Sequence, residues 1–298
     1  MSRGFLLVDK GRGWTSHDVV GKLRGLLGQG RVGHGGTLDP MATGLLVVGV
    51  GQATRLLRYV QDLAKEYRAR MVLGVATDTL DADGAVLWRE PMEVAEDDLR
   101  RVMTRFVGQI TQVPPMVSAV RVQGRRLYDL AREGKEVDRR ARRVEVLALE
   151  LVDFAPGEYP EAVLRVECTK GTYVRTLADD LARALGGRAH LSELRRTRIG
   201  SFSTEREARS MDELEDLAQA GDLPAALLSP SEGLRDLPAL AVDQGTARGV
   251  GHGVAFAPSS LGLPPSGDGA YRMLDQQGRL LAVYRHAGKR LAAEVVLS

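Results

Sequence analysis

The chain has 298 residues, 44% of them hydrophobic, and a formal net charge of +2 at pH 7, as in an ordinary globular protein with room for about two domains. Its single cysteine, Cys168, excludes an internal disulfide framework, and an alternating strand pattern favours a core position for it over a nucleophilic role. The N-terminal apolar run is too short for a signal peptide and no later run is long enough to span a membrane, so a cytoplasmic protein is expected.

The first half of the chain alternates helix and strand signals. Thr15 and Ser16 can cap a helix that Gly28 ends. The run Gly44 to Val50 predicts a buried strand, and alternation from Tyr67 to Val75 predicts a half-buried strand with Tyr67 on its core face. A helix is predicted from Glu96 to Val107.

The second half adds strands and then changes character. Apolar alternation predicts strands through Leu149 and Cys168, and a helix is predicted from Thr172 to Leu185 with Arg175 in its first turn. A capping box at Ser210–Glu213 opens a helix to about Ala220. After a proline-rich connection, the strands Tyr271 to Leu274 and Leu280 to Tyr284 predict a hairpin in a small β domain.

The segment Gly33–Gly44, GHGGTLDPMATG, combines four glycines, a histidine and an aspartate between a helix and a strand. Glycine is costly to order, so such a loop indicates either a turn or a site that brings the backbone and Asp39 close to a ligand. The nearby GQGRVG matches a dinucleotide fingerprint in letters only, because it follows a helix instead of a strand.

The sequence does not favour a metal site. The segment Thr79–Gly84 approximates a calcium loop, but its strand-like flanks favour a hairpin turn at Asp83–Gly84. The five histidines show no metal-ligand spacing, so no metal is expected.

A basic cluster lies at residues 121–143, which carry nine Lys or Arg against four Asp or Glu. Such a cluster is compatible with a nucleic-acid contact or with a solvated charged face.

Five separated blocks span about residues 5 to 200 and contain Lys10, the Gly33–Gly44 loop, Tyr67, the segment Pro114–Gly134 and the helix after Gly171. In this order, the blocks resemble the TruB-type tRNA pseudouridine-55 synthases. The resemblance implies an α+β pseudouridine-synthase fold with a mixed, mainly antiparallel sheet flanked by helices. It also implies a catalytic domain at 1–230 with a basic RNA-clasping insertion at about 116–143, and a PUA-like RNA-binding β domain at 238–298.

The resemblance makes Asp39 the catalytic residue, Arg175 its ion-pair partner and Tyr67 the ring on which a flipped uracil stacks. A carboxylate suits a reaction that breaks the C1′–N1 bond and rejoins the base through C5. The carboxylate must be ionised, and we expect Arg175 to keep its pKa low. Attack at the sugar, attack at the base and proton abstraction all stay open as the first step.

RNA contacts are also implied by the resemblance. His34 would fill the space that the flipped base leaves in the RNA stack. Gly35 and Gly11 stand where the family commonly has Thr and Pro, and Arg121 stands where it usually has Lys. The residues expected to bind RNA are Lys10, His34, Gly35, Arg121, Arg125, Arg126, Tyr128, Arg195 and Arg196.

The resulting functional hypothesis is a cofactor-free isomerase that converts one uridine in the T stem-loop of tRNA. No membrane association and no obligatory protein partner are expected, and the protein is expected to be a monomer. Two alternatives remain at this point. One is a subunit of a guide-RNA-dependent pseudouridine synthase, and the other is a tRNA-binding or tRNA-folding protein whose catalysis is secondary.

Overall fold

The computed structural model describes residues 3–297 except 117–120, 123–124, 127–132, 134 and 136, with the backbone alone at 121–122 and 125–126. The strands are β1 (Gly4–Lys10), β2 (Val32–His34), β3 (Thr43–Val50), β4 (Lys65–Leu73), β5 (Val75–Thr77), β6 (Val86–Arg89), β7 (Gly108–Gln112), β8 (Arg121–Val122), β9 (Arg125–Arg126), β10 (Arg142–Ala155), β11 (Glu161–Cys168), β12 (Ala189–Ile199), β13 (Phe202–Ser203), β14 (Arg209–Ser210), β15 (Ala239–Ala241), β16 (Ala270–Leu274), β17 (Leu280–Ala287) and β18 (Arg290–Val296).

The helices lie mainly between these strands. They are α1 (Ser16–Leu27), α2 (Leu57–Asp62), α3 (Glu96–Met103), α4 (Val174–Ala184), α5 (Thr204–Glu207), α6 (Met211–Gln219) and α7 (Gln244–Gly251), with short 3-10 turns at Gly51–Leu56, Thr104–Phe106, Leu223–Ala226, Glu232–Leu234 and Pro258–Leu261. None of the described helices is long and apolar enough to cross a membrane.

The main sheet has ten strands in the described part of the chain. Its order is β14-β1-β3-β12-β4-β11-β10-β7, with β2 also paired to β3 and β13 to β12. Within the described residues its pairs are antiparallel except for β1 with β14 and β3 with β12. The mixed, mainly antiparallel sheet of an α+β protein is therefore confirmed.

Local signals explain most element boundaries. Thr15 and Asp18 form the capping box of α1, and Gly28 ends that helix in the left-handed region at φ +60°. The predicted strand from Tyr67 to Val75 begins two residues earlier and breaks at Gly74, whose φ of +84° interrupts the extended backbone. The helix predicted from Glu96 to Val107 keeps α geometry only to Met103 and tightens into a 3-10 turn.

The two faces of the sheet contribute to different cores. On β1, Leu6 and Val8 join a core with the apolar faces of α1, α3, α4 and α6, whereas Phe5 and Leu7 join a second core. That second core contains the apolar side of α2 and residues of the C-terminal strands, including Val283. The alternation of strand side chains therefore lets one sheet support helices on one side and the C-terminal sheet on the other.

The C-terminal strands form a four-stranded sheet in the order β15-β16-β17-β18. The predicted hairpin is confirmed, because β16 and β17 pair antiparallel across a turn at Asp275–Gly278. A third apolar cluster, between this sheet and α7, is centred on Met273 and Tyr284. The division of the chain into domains at residues 230 and 238 stays a prediction.

Candidate active site

The Gly33–Gly44 loop connects β2 to β3 and is tied down along its length. The Gly35 amide donates to the Val47 carbonyl at 2.8 Å, and the Leu38 amide donates to the hydroxyl of Ser16 at 2.9 Å. A turn closes at Asp39, whose carbonyl accepts from the Ala42 amide at 3.1 Å. These bonds give the glycine-rich segment one conformation and present the Asp39 side chain from a fixed backbone.

Two buried cations also hold this loop. The Lys10 ammonium donates to the carbonyls of Trp14 at 2.7 Å and Gly11 at 3.0 Å, and it lies 3.4 Å from that of Pro40. The Arg196 guanidinium donates to Leu45 at 2.7 Å and to the carbonyls of Gly36 and Thr37. Burial lowers the pKa of Lys10 to about 8.

Lys10 and Arg196, two of the residues expected to bind RNA, lie in buried positions. Lys10 is fully buried and Arg196 is 1% exposed, and both cationic groups donate to backbone carbonyls in and beside the loop. Carbonyl oxygens that would otherwise be buried without donors explain why cations occupy these positions. In this structure both residues shape the loop that carries Asp39.

Gly44 explains why one of the loop glycines cannot be replaced. It lies at φ +97°, and a Cβ there would lie 2.2 Å from the carbonyl oxygen of Arg196. The two residues face each other where β3 and β12 run parallel. The close approach of these strands places Arg196 behind the loop and depends on the missing side chain.

Arg175 lies between two carboxylates. Its Nη2 is 2.8 Å from Asp39 Oδ2 and its Nη1 is 3.1 Å from Asp81 Oδ2, while Nη1 also donates to the Thr79 carbonyl at 2.7 Å. The Arg175 side chain is 2% exposed and that of Asp39 is 33% exposed. Asp81 and the Thr79 carbonyl thus hold the Arg175 guanidinium in place, and the Asp39 carboxylate keeps one side open to the cavity.

Asp81 is a site residue that sequence reasoning missed. It lies in the connection between β5 and β6, where the predicted hairpin is confirmed, and its Oδ1 accepts from Thr79 Oγ1 at 2.6 Å. The amide of Leu191 on β12 donates to Leu80 and docks this connection on the main sheet. An acidic residue in a hairpin turn gives no local signal of its distant arginine partner, so only the docking reveals it.

The balance of charges around Asp39 differs from the expectation. Burial raises the pKa of the Asp39 carboxyl above its ordinary value, while Arg175 lowers it, Asp81 raises it and Lys10 lowers it. The prediction of a low pKa is therefore wrong in sign, because Arg175 shares its charge with Asp81 and the loss of water outweighs its attraction. Keeping Asp39 ionised is costly, which is common for groups that do chemistry.

The carboxylate opens into a cavity of about 530 Å³, within the size range of small-molecule sites. The half-buried ring of Tyr67 lines it from β4, and burial raises the pKa of its hydroxyl, so that group stays protonated at neutral pH. The structure therefore brings together the three predicted catalytic residues Asp39, Tyr67 and Arg175. The lining residues include Gly35, Gly36, Gln61, Lys65, Arg142, Arg143, Lys170, Thr172 and Arg196.

The cavity wall contains basic residues that were not assigned to the site. Arg142 and Arg143 lie at the start of β10, and Lys170 precedes α4 and pairs with Asp62 at 2.5 Å. Lys65 is buried and donates to the carbonyls of Gln61 and Leu63. Arg142 and Arg143 belong to the basic cluster at residues 121–143, so their charge could have indicated a place in the site. The sequence gives no comparable indication that Lys65 is buried beside the cavity.

The other residues expected to bind RNA lie in three settings. The His34 ring contacts the His17 ring edge-on with centroids 5.4 Å apart. Arg195 forms a two-pronged ion pair with Asp9 at 2.7 and 2.9 Å, so its charge is already engaged. The backbones of Arg121, Arg125 and Arg126 form the β8–β9 ladder, but their side chains and the whole of Tyr128 lie outside the described residues.

Among the residues that the structure describes, no group of three or more His, Cys, Asp or Glu side chains could hold a metal ion. The chemistry available in the cavity is that of an arginine-bound carboxylate, an aromatic face and basic side chains around them.

Comparisons with known proteins give matches to one family over most of the chain. The family described as TruB family pseudouridylate synthase (N terminal domain) matches residues 24–174, and the tRNA pseudouridylate synthase B C-terminal domain matches residues 175–234. The tRNA pseudouridine synthase B of Moorella thermoacetica is 47% identical over 96% of this chain and 94% of its own. That of Symbiobacterium thermophilum is 50% identical over 85% of this chain and 83% of its own.

Solved structures with a similar fold have lower sequence identity to this chain. The fold resembles that in a Cbf5–Nop10–Gar1 complex with a TM-score of 0.76 and 27% identity, over 99% of this chain and 84% of the other. It also resembles that in an H/ACA RNP bound to a substrate RNA containing 2′-deoxyuridine, with a TM-score of 0.75 and 25% identity, over 99% and 85%. With a family match over half of the chain and relatives near 50% identity, this chain belongs to the TruB family of pseudouridylate synthases.

Proposed function

We propose that this chain converts one uridine of tRNA, at position 55 in the T loop, into pseudouridine without a cofactor. The observation that carries the proposal is the Asp39 carboxylate, held by a buried Arg175 and open to the same cavity that Tyr67 lines. The relatives named tRNA pseudouridine synthase B support tRNA as the substrate class.

The reaction is an isomerisation, so its atoms balance within the substrate. The C1′–N1 bond breaks, the uracil turns, C5 bonds to C1′, and the hydrogen on C5 leaves as a proton while N1 gains one. Asp39 would act in its ionised form, whether at the sugar, at the base or on a proton. Arg175 would hold that carboxylate in one orientation and offset part of the cost of its burial.

The substrate must be turned out of the RNA to reach this carboxylate. Tyr67 would supply the face on which the flipped base stacks, and His34 would fill the space that the base vacates. Arg142 and Arg143 on the cavity wall, together with the rest of the basic insertion at about 116–143, would bind the RNA backbone by charge.

The remaining organisation is proposed with the function. Residues 1–230 would form the catalytic domain, and the sheet within 238–298 would be a PUA-like domain that contacts RNA. We also propose that the protein acts as a monomer in the cytoplasm. The guide-dependent alternative is not favoured, because the Cbf5–Nop10–Gar1 and H/ACA RNP structures share 27% and 25% identity with this chain, against 47% and 50% for the two tRNA pseudouridine synthases B.

The test is tritium release from tRNA that carries 5-³H-uridine, with purified protein and no metal, nucleotide, guide RNA or partner. We expect the wild type to release one equivalent from a transcript with uridine at position 55 and none from a matched transcript with cytidine there. Asp39→Asn should bind both transcripts and release nothing. If the wild type binds tRNA without releasing tritium, the proposal is wrong, and a binding protein or a partner-dependent enzyme takes its place.

A further inference from the structure

Helix α2 lies between the Gly33–Gly44 loop and the C-terminal sheet. On one side, a Cβ at Gly35 would lie 3.3 Å from Val60 Cγ1 and 3.4 Å from Leu57 Cδ2. A Cβ at Gly33 would lie 3.5 Å from Leu57 Cδ1. Two α2 side chains therefore pack directly on the glycines that flank His34, at the start of the loop that carries Asp39.

The end of α2 also forms part of the cavity. Gln61 lines the cavity wall, and the carbonyls of Gln61 and Leu63 accept the two short hydrogen bonds of the Lys65 ammonium. Asp62 pairs with Lys170, another lining residue. A shift of α2 would therefore move both the Gly33–Gly44 loop and one wall of the cavity, since close-packed elements transmit displacements.

The opposite side of α2 is fastened to the C-terminal sheet. The Tyr59 hydroxyl donates to Glu294 Oε2 on β18 at 2.7 Å, and Arg58 Nη2 donates to the same hydroxyl at 2.6 Å. Arg285 on β17 donates to the other Glu294 oxygen at 3.1 Å. Tyr59 is 4% exposed, and burial raises the pKa of its hydroxyl to about 12, so it remains a donor.

We infer that the C-terminal sheet positions the Gly33–Gly44 loop, which carries Asp39, through α2. Tyr59 and Glu294 are the positioning residues that make this connection. The sheet therefore serves the chemistry of the site as well as any RNA contact that it makes. The inference rests on the proposed function for its kinetic test only, because the position of the loop can be measured without turnover.

The kinetic test uses single-turnover tritium release from an isolated T stem-loop at saturating enzyme. Tyr59→Phe removes the donor of the hydrogen bond and Glu294→Met removes its carboxylate acceptor, both with little change of size. Each should lower the rate about fivefold or more while leaving the RNA Kd within about twofold. The double variant should be no slower than the slower single variant, because both remove one interaction. Arg279→Gln is the control, since it breaks an exposed ion pair with Asp275 in the same sheet, away from α2.

The second test is hydrogen exchange of the loop amides in the free protein. We expect faster exchange at Gly35 and neighbouring loop residues in Tyr59→Phe and Glu294→Met, with exchange in α4 and in the Arg279→Gln variant unchanged. Wild-type rates and exchange in both variants would overturn the inference while leaving the proposed function intact. A weaker Kd with an unchanged rate would also overturn it, because the sheet would then act on RNA binding alone. A wild type that releases no tritium would count against the proposed function, and the exchange measurement would still decide the inference.

Discussion

Arg175 Nη2 lies 2.8 Å from Asp39 Oδ2, with the guanidinium almost fully buried and the carboxylate one third exposed. The arginine is itself fixed, because Asp81 and the Thr79 carbonyl engage its other terminal nitrogen. A planar guanidinium makes these contacts in a fixed fork geometry, which a compact ammonium does not reproduce. The relationship between Asp39 and Arg175 therefore depends on geometry as well as on charge.

Arg175→Lys should lower single-turnover tritium release about 100-fold or more, although the charge is retained, because an ammonium lacks the two separate terminal nitrogens that bind Asp39 and Asp81. Binding of the T stem-loop should change little. Arg183→Lys is a matched control on the same helix, since Arg183 pairs with Asp179 at a site that does not line the cavity. A rate for Arg175→Lys near that of the wild type would show that charge alone suffices.

The raised pKa of Asp39 predicts a conflict between activity and stability. Because the folded-state pKa is raised, the stabilising effect of the protonated form is present below the unfolded-state value of about 4 and is lost as pH rises through the folded-state value. Asp39→Asn, inactive by hypothesis, should therefore be more stable than the wild type in urea at neutral pH, and the gain should shrink toward acid pH. Wild-type activity should fall as pH drops through the same range. A variant that is less stable at neutral pH would contradict the direction of the shift.

Tyr67 offers a test of stacking. Tyr67→Leu removes the aromatic face and should lower turnover about tenfold or more, because stacking of a base on a ring is worth about 1–3 kcal/mol. Tyr67→Phe keeps the ring and should cost much less, because it loses the hydroxyl alone. Fluorescence of a 2-aminopurine beside the target uridine would report flipping. Equal losses for both variants would assign the effect to the hydroxyl instead of the ring.

Substitution by alanine is expected to change the stability of the protein in opposite directions at Gly44 and at Gly21. Gly44→Ala should destabilise the protein by more than about 3 kcal/mol, because the new methyl group would collide with Arg196 backbone at a positive φ. Gly21 is exposed in the middle of α1 with nothing within 4 Å of its ideal Cβ. Gly21→Ala should stabilise by about 1 kcal/mol. Urea unfolding of the two variants would check both signs.

The local pattern of the sequence predicted much of the fold. The capping boxes at Thr15 and Ser210, the αL end at Gly28 and the strand from Gly44 each depend on residues within a few positions of one another. The family blocks predicted Asp39, Tyr67 and Arg175 as site residues, and the structure brings all three to one cavity. Their catalytic roles stay predictions.

Tertiary structure alone decided how that site is supported. The docking of the β5–β6 hairpin brings Asp81 to Arg175, strand pairing buries Lys10 and Arg196 behind the loop, and packing of the C-terminal sheet places Glu294 against Tyr59. It also reversed the expected pKa shift of Asp39, since desolvation depends on what surrounds the carboxylate. Caps and periodicity are properties of neighbouring residues and are visible in a single sequence. Burial and long-range ion pairs depend on contacts between distant segments, which no local pattern specifies.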